Sequence, residues 1–209
     1  MKEKIKLSGV PETMLQTVYA RAKESRGRGI IHDAKAEEII EKMDYDFSLA
    51  DKDTAMHNGV IARTIVLDKL TKSWLAKHPG AVVVNIACEQ NVPVLIVIEG
   101  LTMYLNAKDV QQIFAVISNR FPKATVFVET MNPMMVRRFK EKSIEGSHAK
   151  FTWGVKNGVA LAELLPDFRF IEEHSLCEGM AVFAPIYKLL DKLPAVRNIS
   201  NKIIVLEKE

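Results

Sequence analysis

Cysteine is scarce in this 209-residue chain. Cys88 and Cys177 are too few for a disulfide framework or a thiolate metal site, which favours a reducing cytoplasm and unpaired, buried thiols. Aromatic residues make up only 7%, and the net charge of +3 comes from interspersed signs rather than a basic block, so the footprint of a nucleic-acid binder is absent. No apolar run approaches the roughly 20 residues that cross a bilayer, and the start MKEKIKL has no apolar signal core, so a soluble protein without a membrane partner is expected. Catalytic signatures are equally sparse. His32, His57, His78, His148 and His174 show no metal-ligand spacing, and no GxSxG, Walker or GxGxxG motif occurs. His57 and His148 offer acid or base chemistry, but nothing around them singles them out. The chain has no internal repeat and no low-complexity segment.

What is present fits one α/β domain: 48% of the residues are hydrophobic, enough for a sizeable core. The chain is organised around residues 91–106, NVPVLIVIEGLTMYLN. Val94–Ile98 is a continuous β-branched run that breaks into Glu99 and Gly100, the pattern of a strand buried on both faces with a carboxylate at its C-terminal end. Asn106 is a good helix cap with Asp109 in the first turn, and Val110, Ile113, Phe114 and Ile117 form an apolar stripe after it. Open α/β sheets bind ligands where such strands end, which places Glu99 at the expected ligand edge with Tyr104 close by.

Around this centre the first third reads as helical. Pro11 and Glu12 open a helix with Met14, Leu15, Val18 and Tyr19 on one face, and the glycines of RGRG end it, with Arg26 and Arg28 in solvent. Asp33 caps a second helix carrying Ala36, Ile39, Ile40 and Met43 inward, and residues 44–53 read as a polar loop. A long helix over Thr54–Lys77 carries Met56, Val60, Leu67, Leu70 and Trp74 at steps of three and four, with Arg63 as the charged member of that apolar stripe. A guanidinium on such a face needs an anion, either a carboxylate of the protein or the carboxylate of a ligand. Further on, strands are expected at 124–129, 168–176 and 203–206, with helices after Asn132-Pro133, before Leu165 and, broken at Pro185, over 180–193. The last strand is expected at a sheet edge. Residues 1–78 would form a helical cap and lid, and 79–209 the sheet core.

One junction conflicts with this pattern. AVVVNIA at 81–87 is a second buried strand, yet only residues 88–93 separate it from Val94. Parallel neighbours need a crossover of about a dozen residues or more, and a strand of about six residues is roughly 20 Å long. The five residues after Cys88 reach about 18 Å at most. The pair is therefore an unusual antiparallel hairpin, or a segment is missing between Cys88 and Glu89, whose Cα atoms would then lie much farther apart than the 3.8 Å of a peptide link.

The order of RAKES at 21–25, IHDAKAEE at 31–38, VIARTIVLD around Arg63, VVVNIAC, VIEGLTMYL and FTWG resembles the leucine carboxyl methyltransferase and polyketide O-methyltransferase family over most of the chain. The resemblance implies a Rossmann-like sheet under N-terminal helices, S-adenosylmethionine as cofactor, and methyl transfer to a carboxylate or phenolic oxygen of a small molecule. It implies that Arg63 holds the cofactor's methionine carboxylate and that Ala87, Cys88, Glu99 and Gly100 line the cofactor site. Tyr104 would stand at the reacting end, and Lys23, or Arg21 beside it, would supply a basic group. The family's Asp-Thr-Arg loop and its two following acidic residues, which serve the ribose and adenine, have no counterpart here. Two strand–helix units of about 30 residues each would restore them. A non-catalytic ligand-binding protein of the same fold is the other reading.

Overall fold

The computed structural model describes residues 3–4, 9–79, 81–83, 94–138 and 149–208. The chain begins with β1 (Glu3–Lys4), α1 (Val10–Arg26) and α2 (Ala34–Lys42). The short strand β2 (Met43–Asp44), parallel to β1, leads into α3 (Ser48–Lys52) and the long α4 (Thr54–Lys77). Pro11 sits in the first turn of α1 and Gly27 follows its end. The side chains of Asp33 and Asp53 accept from the Ala36 and Met56 N–H groups and so start α2 and α4. Residues 44–53 are thus not a plain loop: α3 forms there and buries Ala50 against the group of Ala20, Ile31, Met56, Val60 and Ile61.

One expectation for α1 is corrected. Met14 is 65% exposed, whereas Leu15 is buried as expected, together with Ala20, Ala22, Thr13, Gln16 and Glu24. Arg26 and Arg28 are exposed, as expected, and are also paired, Arg26 with Glu41 at 2.6 Å and Arg28 with Glu24 at 2.6 Å.

The second half supplies β3 (Val82–Val83), β4 (Val94–Ile98), α5 (Ala107–Arg120), β5 (Ala124–Thr130) and α6 (Pro133–Arg138). After these come α7 (Gly158–Glu163), β6 (Phe168–Ser175), α8 (Cys177–Met180), α9 (Tyr187–Leu190), α10 (Pro194–Ile199) and β7 (Lys202–Lys208). Among the described residues, five strands form one sheet in the order β3-β4-β5-β7-β6. β3, β4 and β5 run parallel, and β7 is antiparallel to both of its neighbours. The last strand is therefore an interior one, inserted between β5 and β6, rather than the edge expected for it.

Alternation along the strands divides the core. Val126 and Val128 of β5 with Ile204 and Leu206 of β7 face α5 and α7, where Phe114 meets Phe168 edge-on at 5.0 Å. Phe127, Ile203 and Val205 face the other way, onto Val66, Leu67 and Trp74 of α4. Each such fully buried side chain contributes about 2 kcal/mol. Trp74 Nε1 also donates to Thr125 Oγ1 at 3.0 Å, which pins the C-terminal half of α4 to the central strand. β4 is less enclosed than its sequence suggests, because Val97 is 38% exposed.

The junction at 84–93 is informative at its two ends. Val82 pairs with Val94 and Val83 with Leu95 in parallel register, which excludes the antiparallel hairpin for these strands. The rest of the strand expected over 81–87, Ala87 and the Cys88–Glu89 join included, lies outside the described residues, as do Phe139 and His148.

Candidate functional site

Strands β4 and β5 are adjacent and parallel, so their C-terminal ends lie side by side. Each carries a carboxylate at that end, Glu99 just past β4 and Glu129 as the penultimate residue of β5. Gly100, with φ of +64°, takes a left-handed turn open to glycine at no cost, and its N–H donates to Glu129 Oε2 at 2.8 Å. Thr102 Oγ1 donates to the Glu129 carbonyl at 2.6 Å, so the turn after β4 is fastened to β5. The Met103 carbonyl accepts from Thr152 N–H at 2.7 Å, and the Met131 carbonyl from Val155 N–H at 2.9 Å. The segment FTWG thereby closes the far side of the same strand ends.

Arg63 reaches this place from α4, the anion-seeking member of the apolar stripe. Its Nη1 donates to Glu129 Oε2 at 3.0 Å, and its Nε lies 2.6 Å from Glu99 Oε1. The Nε contact is a close ion pair whose angle leaves the N–H without an aligned acceptor. Burial alone would lower the affinity of Arg63 for its proton, but the two carboxylates outweigh it and shift its pKa upward. The Arg63 side chain is 12% exposed, Glu99 is 29% and Glu129 is 2%. The triad carries one positive and two negative groups, an excess of one negative charge at the floor of a cavity of about 640 Å³.

That volume is in the range of small-molecule sites. The walls come from α1, α4, the 100–104 turn, FTWG and α8. Six of the chain's nine methionines, Met14, Met56, Met103, Met131, Met135 and Met180, face the space. Tyr104 lines it too, its ring tilted against Phe151 at 5.4 Å. A polar floor under an adaptable apolar wall suits a ligand with one charged end.

The expected site residues are distributed as follows. Arg63, Glu99, Gly100 and Tyr104 converge on the cavity. Lys23 is paired with Asp51 at 2.7 Å on the outer side of α1, whereas Arg21 lines the cavity and also binds Asp33 at 2.6 Å. Ala87 and Cys88 lie outside the described residues. Glu129 was missed. Its signal was the same as that of Glu99, a carboxylate closing a β-branched apolar run, on the next strand of a parallel pair.

No protein-family model matches the chain. The tetracenomycin polyketide synthesis O-methyltransferase TcmP of Streptomyces glaucescens is 28% identical over 236 residues, covering 86% of this chain and 87% of that protein. The S-adenosyl-L-methionine-dependent methyltransferase dpfgK of Gibberella zeae is 30% identical over 96 residues, 42% of this chain and 32% of the relative. A mixed α/β sheet with a charged strand-end cavity and these two likenesses define the class, a methyltransferase. In sequence the chain is similar to S-adenosylmethionine-dependent O-methyltransferases. The span matched to TcmP covers 236 residues but only 86% of a 209-residue chain, so more than fifty residues of the span have no counterpart here.

Proposed function

We propose that the cavity at the ends of β4 and β5 binds S-adenosylmethionine and that the protein transfers its methyl group to a carboxylate or phenolic oxygen of a small molecule. The observation that carries this reading is Arg63, buried on an apolar helix face and aimed at the strand-end cavity between two carboxylates. The donor set fits the amino-acid end of the cofactor. A guanidinium with an unaligned Nε–H suits its carboxylate, and the surplus negative charge of the triad suits its ammonium and sulfonium groups.

When bound, the cofactor supplies a methyl carbon already activated by a cationic sulfur, which leaves as a neutral thioether. The protein's part is therefore to hold two reactants in line and exclude water. Arg63 fixes the amino-acid end, the Gly100 turn sets the distance between strand and ligand, and Tyr104 with Phe151 borders the space above them. A carboxylate acceptor is already ionised at neutral pH, whereas a phenol, with an ordinary pKa of about 10, must give its proton to water or a base as the methyl arrives. The methionine-lined wall excludes water and adapts to an apolar acceptor. TcmP, whose name assigns it to polyketide synthesis, gives the same direction for the acceptor.

The sheet order supports a Rossmann-like core interrupted at its β3 edge. The residues matched in TcmP but absent here equal about two strand–helix units, the number the resemblance requires beyond β3 for the ribose and adenine. The test is calorimetric titration with S-adenosylmethionine followed by a transfer assay on small carboxylates and phenols. Binding with transfer supports the enzyme. Binding without transfer to any acceptor favours a ligand-binding protein of the same fold.

A further inference from the structure

The two carboxylates on Arg63 are not equivalent. Glu129 is 2% exposed, in a strand whose seven residues are all buried, and its side chain accepts from both Arg63 Nη1 and the Gly100 N–H. Its backbone is held as well, through Thr102. Rotating Glu129 away would strand a carboxylate in the core and break the turn that carries Gly100. Glu99 stands past the end of its strand, 29% exposed, and lines the cavity. It touches Arg63 through Nε, with the hydrogen misaligned. Moving Glu99 exposes a charge to solvent at little cost, whereas moving Glu129 does not.

We propose that Glu129 is the positioning residue that holds Arg63 in its ligand-receiving orientation, while Glu99 is the exchangeable partner that Arg63 gives up to the carboxylate of an incoming ligand. The inference rests on the cofactor reading above. In this arrangement Arg63 is never without an anion. The chain with no ligand is stabilised by Glu99, the liganded one by the ligand's own carboxylate, and Glu129 is common to both. Glu99 then competes only with the ligand's carboxylate for Arg63, and neutralising it removes that competition together with the triad's surplus negative charge, which acts on both ligands compared below.

The experiment compares S-adenosylmethionine with its decarboxylated form, which keeps the sulfonium, the ammonium and the adenosine but lacks the group that Arg63 would take. Calorimetric affinities for both ligands are measured on wild type, Glu129→Gln and Glu99→Gln. Wild type is expected to prefer the carboxylate-bearing ligand by about tenfold or more, as for a desolvated charge pair. Glu129→Gln should lose most of that preference, and Glu99→Gln should keep or increase it. A merely structural Glu129 would weaken both ligands equally and leave the ratio unchanged, which overturns the proposal while the cofactor reading stands. A drop of the ratio in Glu99→Gln overturns it too, and this variant decides the matter should Glu129→Gln fail to fold. Wild type that binds neither ligand overturns the cofactor reading and the inference together.

Discussion

Helix α4 carries two charge clusters less than two turns apart, and they differ in what they leave open. At its N-terminal end His57 Nε2 lies 2.9 Å from Glu24, a carboxylate 1% exposed. Glu24 also accepts from Arg28 Nη2 at 2.6 Å, Arg28 Nε at 3.1 Å and the Ile30 N–H at 3.3 Å, and Arg28 lies over the Phe183 ring at 4.6 Å. Burial would raise the Glu24 pKa, but the bonds from Arg28, His57 and Ile30 overcome it and shift it down. That carboxylate is saturated and borders no cavity among those described. At Arg63 the composition is reversed, one base between a buried and a more accessible acid, and the cluster opens onto a space of about 640 Å³. A buried charge with every bond filled by its own chain ties elements together. The upper cluster too has a buried nitrogen without a hydrogen-bond partner, His57 Nδ1, so what sets Arg63 apart is the cavity it faces, which the proposed reading gives to a ligand.

The largest effect expected from breaking this comparison is at Arg63. Arg63→Ala leaves Glu129 buried without its cation and should cost about 3 to 5 kcal/mol in urea unfolding. Adding Glu129→Gln to it should restore a good part of the stability and none of the ligand affinity. Two defects that merely sum would mean the pair is not coupled.

Next comes the seam between α8 and α4. A Cβ on Gly179 would sit 2.2 Å from the Ala62 carbonyl oxygen, one residue from Arg63. Gly179→Ala must push α8 off α4, with a cost of about 1 to 3 kcal/mol and a weaker ligand site. Full retention of both stability and affinity would show that this close approach is not needed.

Glu24→Ala sharpens the contrast from the other side. It leaves the Ile30 N–H and His57 without their acceptor and should cost about 1 to 3 kcal/mol, with ligand affinity unchanged once the variant is folded. A selective loss of affinity would make the upper cluster part of the site.

The smallest effect is a pH dependence at the outer end of α8. His174 is held by Glu178 at 3.1 Å, with Glu172 at 3.6 Å. The hydrogen bond from Glu178 raises its pKa, burial opposes this, and the charges of Glu178 and Glu172 add to the rise. For Glu178 burial acts upward, but the hydrogen bond and charge of His174, then Lys69 and Arg197, leave its pKa lowered. A raised histidine stabilises fully below its unfolded value and ceases to do so as pH climbs through its folded one. The stability difference between wild type and His174→Gln should therefore be larger near about pH 6 than near about pH 9, and within about 1 kcal/mol. A constant difference across that range would remove the charge from the account.

Much of this was legible in the sequence because it is local. The stripe of α4, the capping box of Asn106 and Asp109, and the apolar runs of β4 and β5 each follow from spacing within a dozen residues. Arg63 stood out because it interrupted a period. What was not legible is what depends on neighbours distant in the chain. The insertion of β7 between β5 and β6 is a matter of strand order, which no periodicity encodes. The burial of Glu24, paired across 33 positions with His57, has no signal in α1 itself. Glu129 became a partner of Arg63 only through a contact 66 positions apart. The short helix α10 was overlooked although Pro194 at its first turn marks its start.

The central claim is that Arg63 exists to receive a ligand's carboxylate, and titration of S-adenosylmethionine into wild type and Arg63→Ala tests it most directly. The account predicts saturable binding to the wild-type protein and a loss of affinity of at least about tenfold in the folded variant, the expected effect of removing a desolvated guanidinium–carboxylate contact. Equal affinity in the two proteins would contradict it, and would leave Arg63 with no role beyond tying α4 to Glu99 and Glu129.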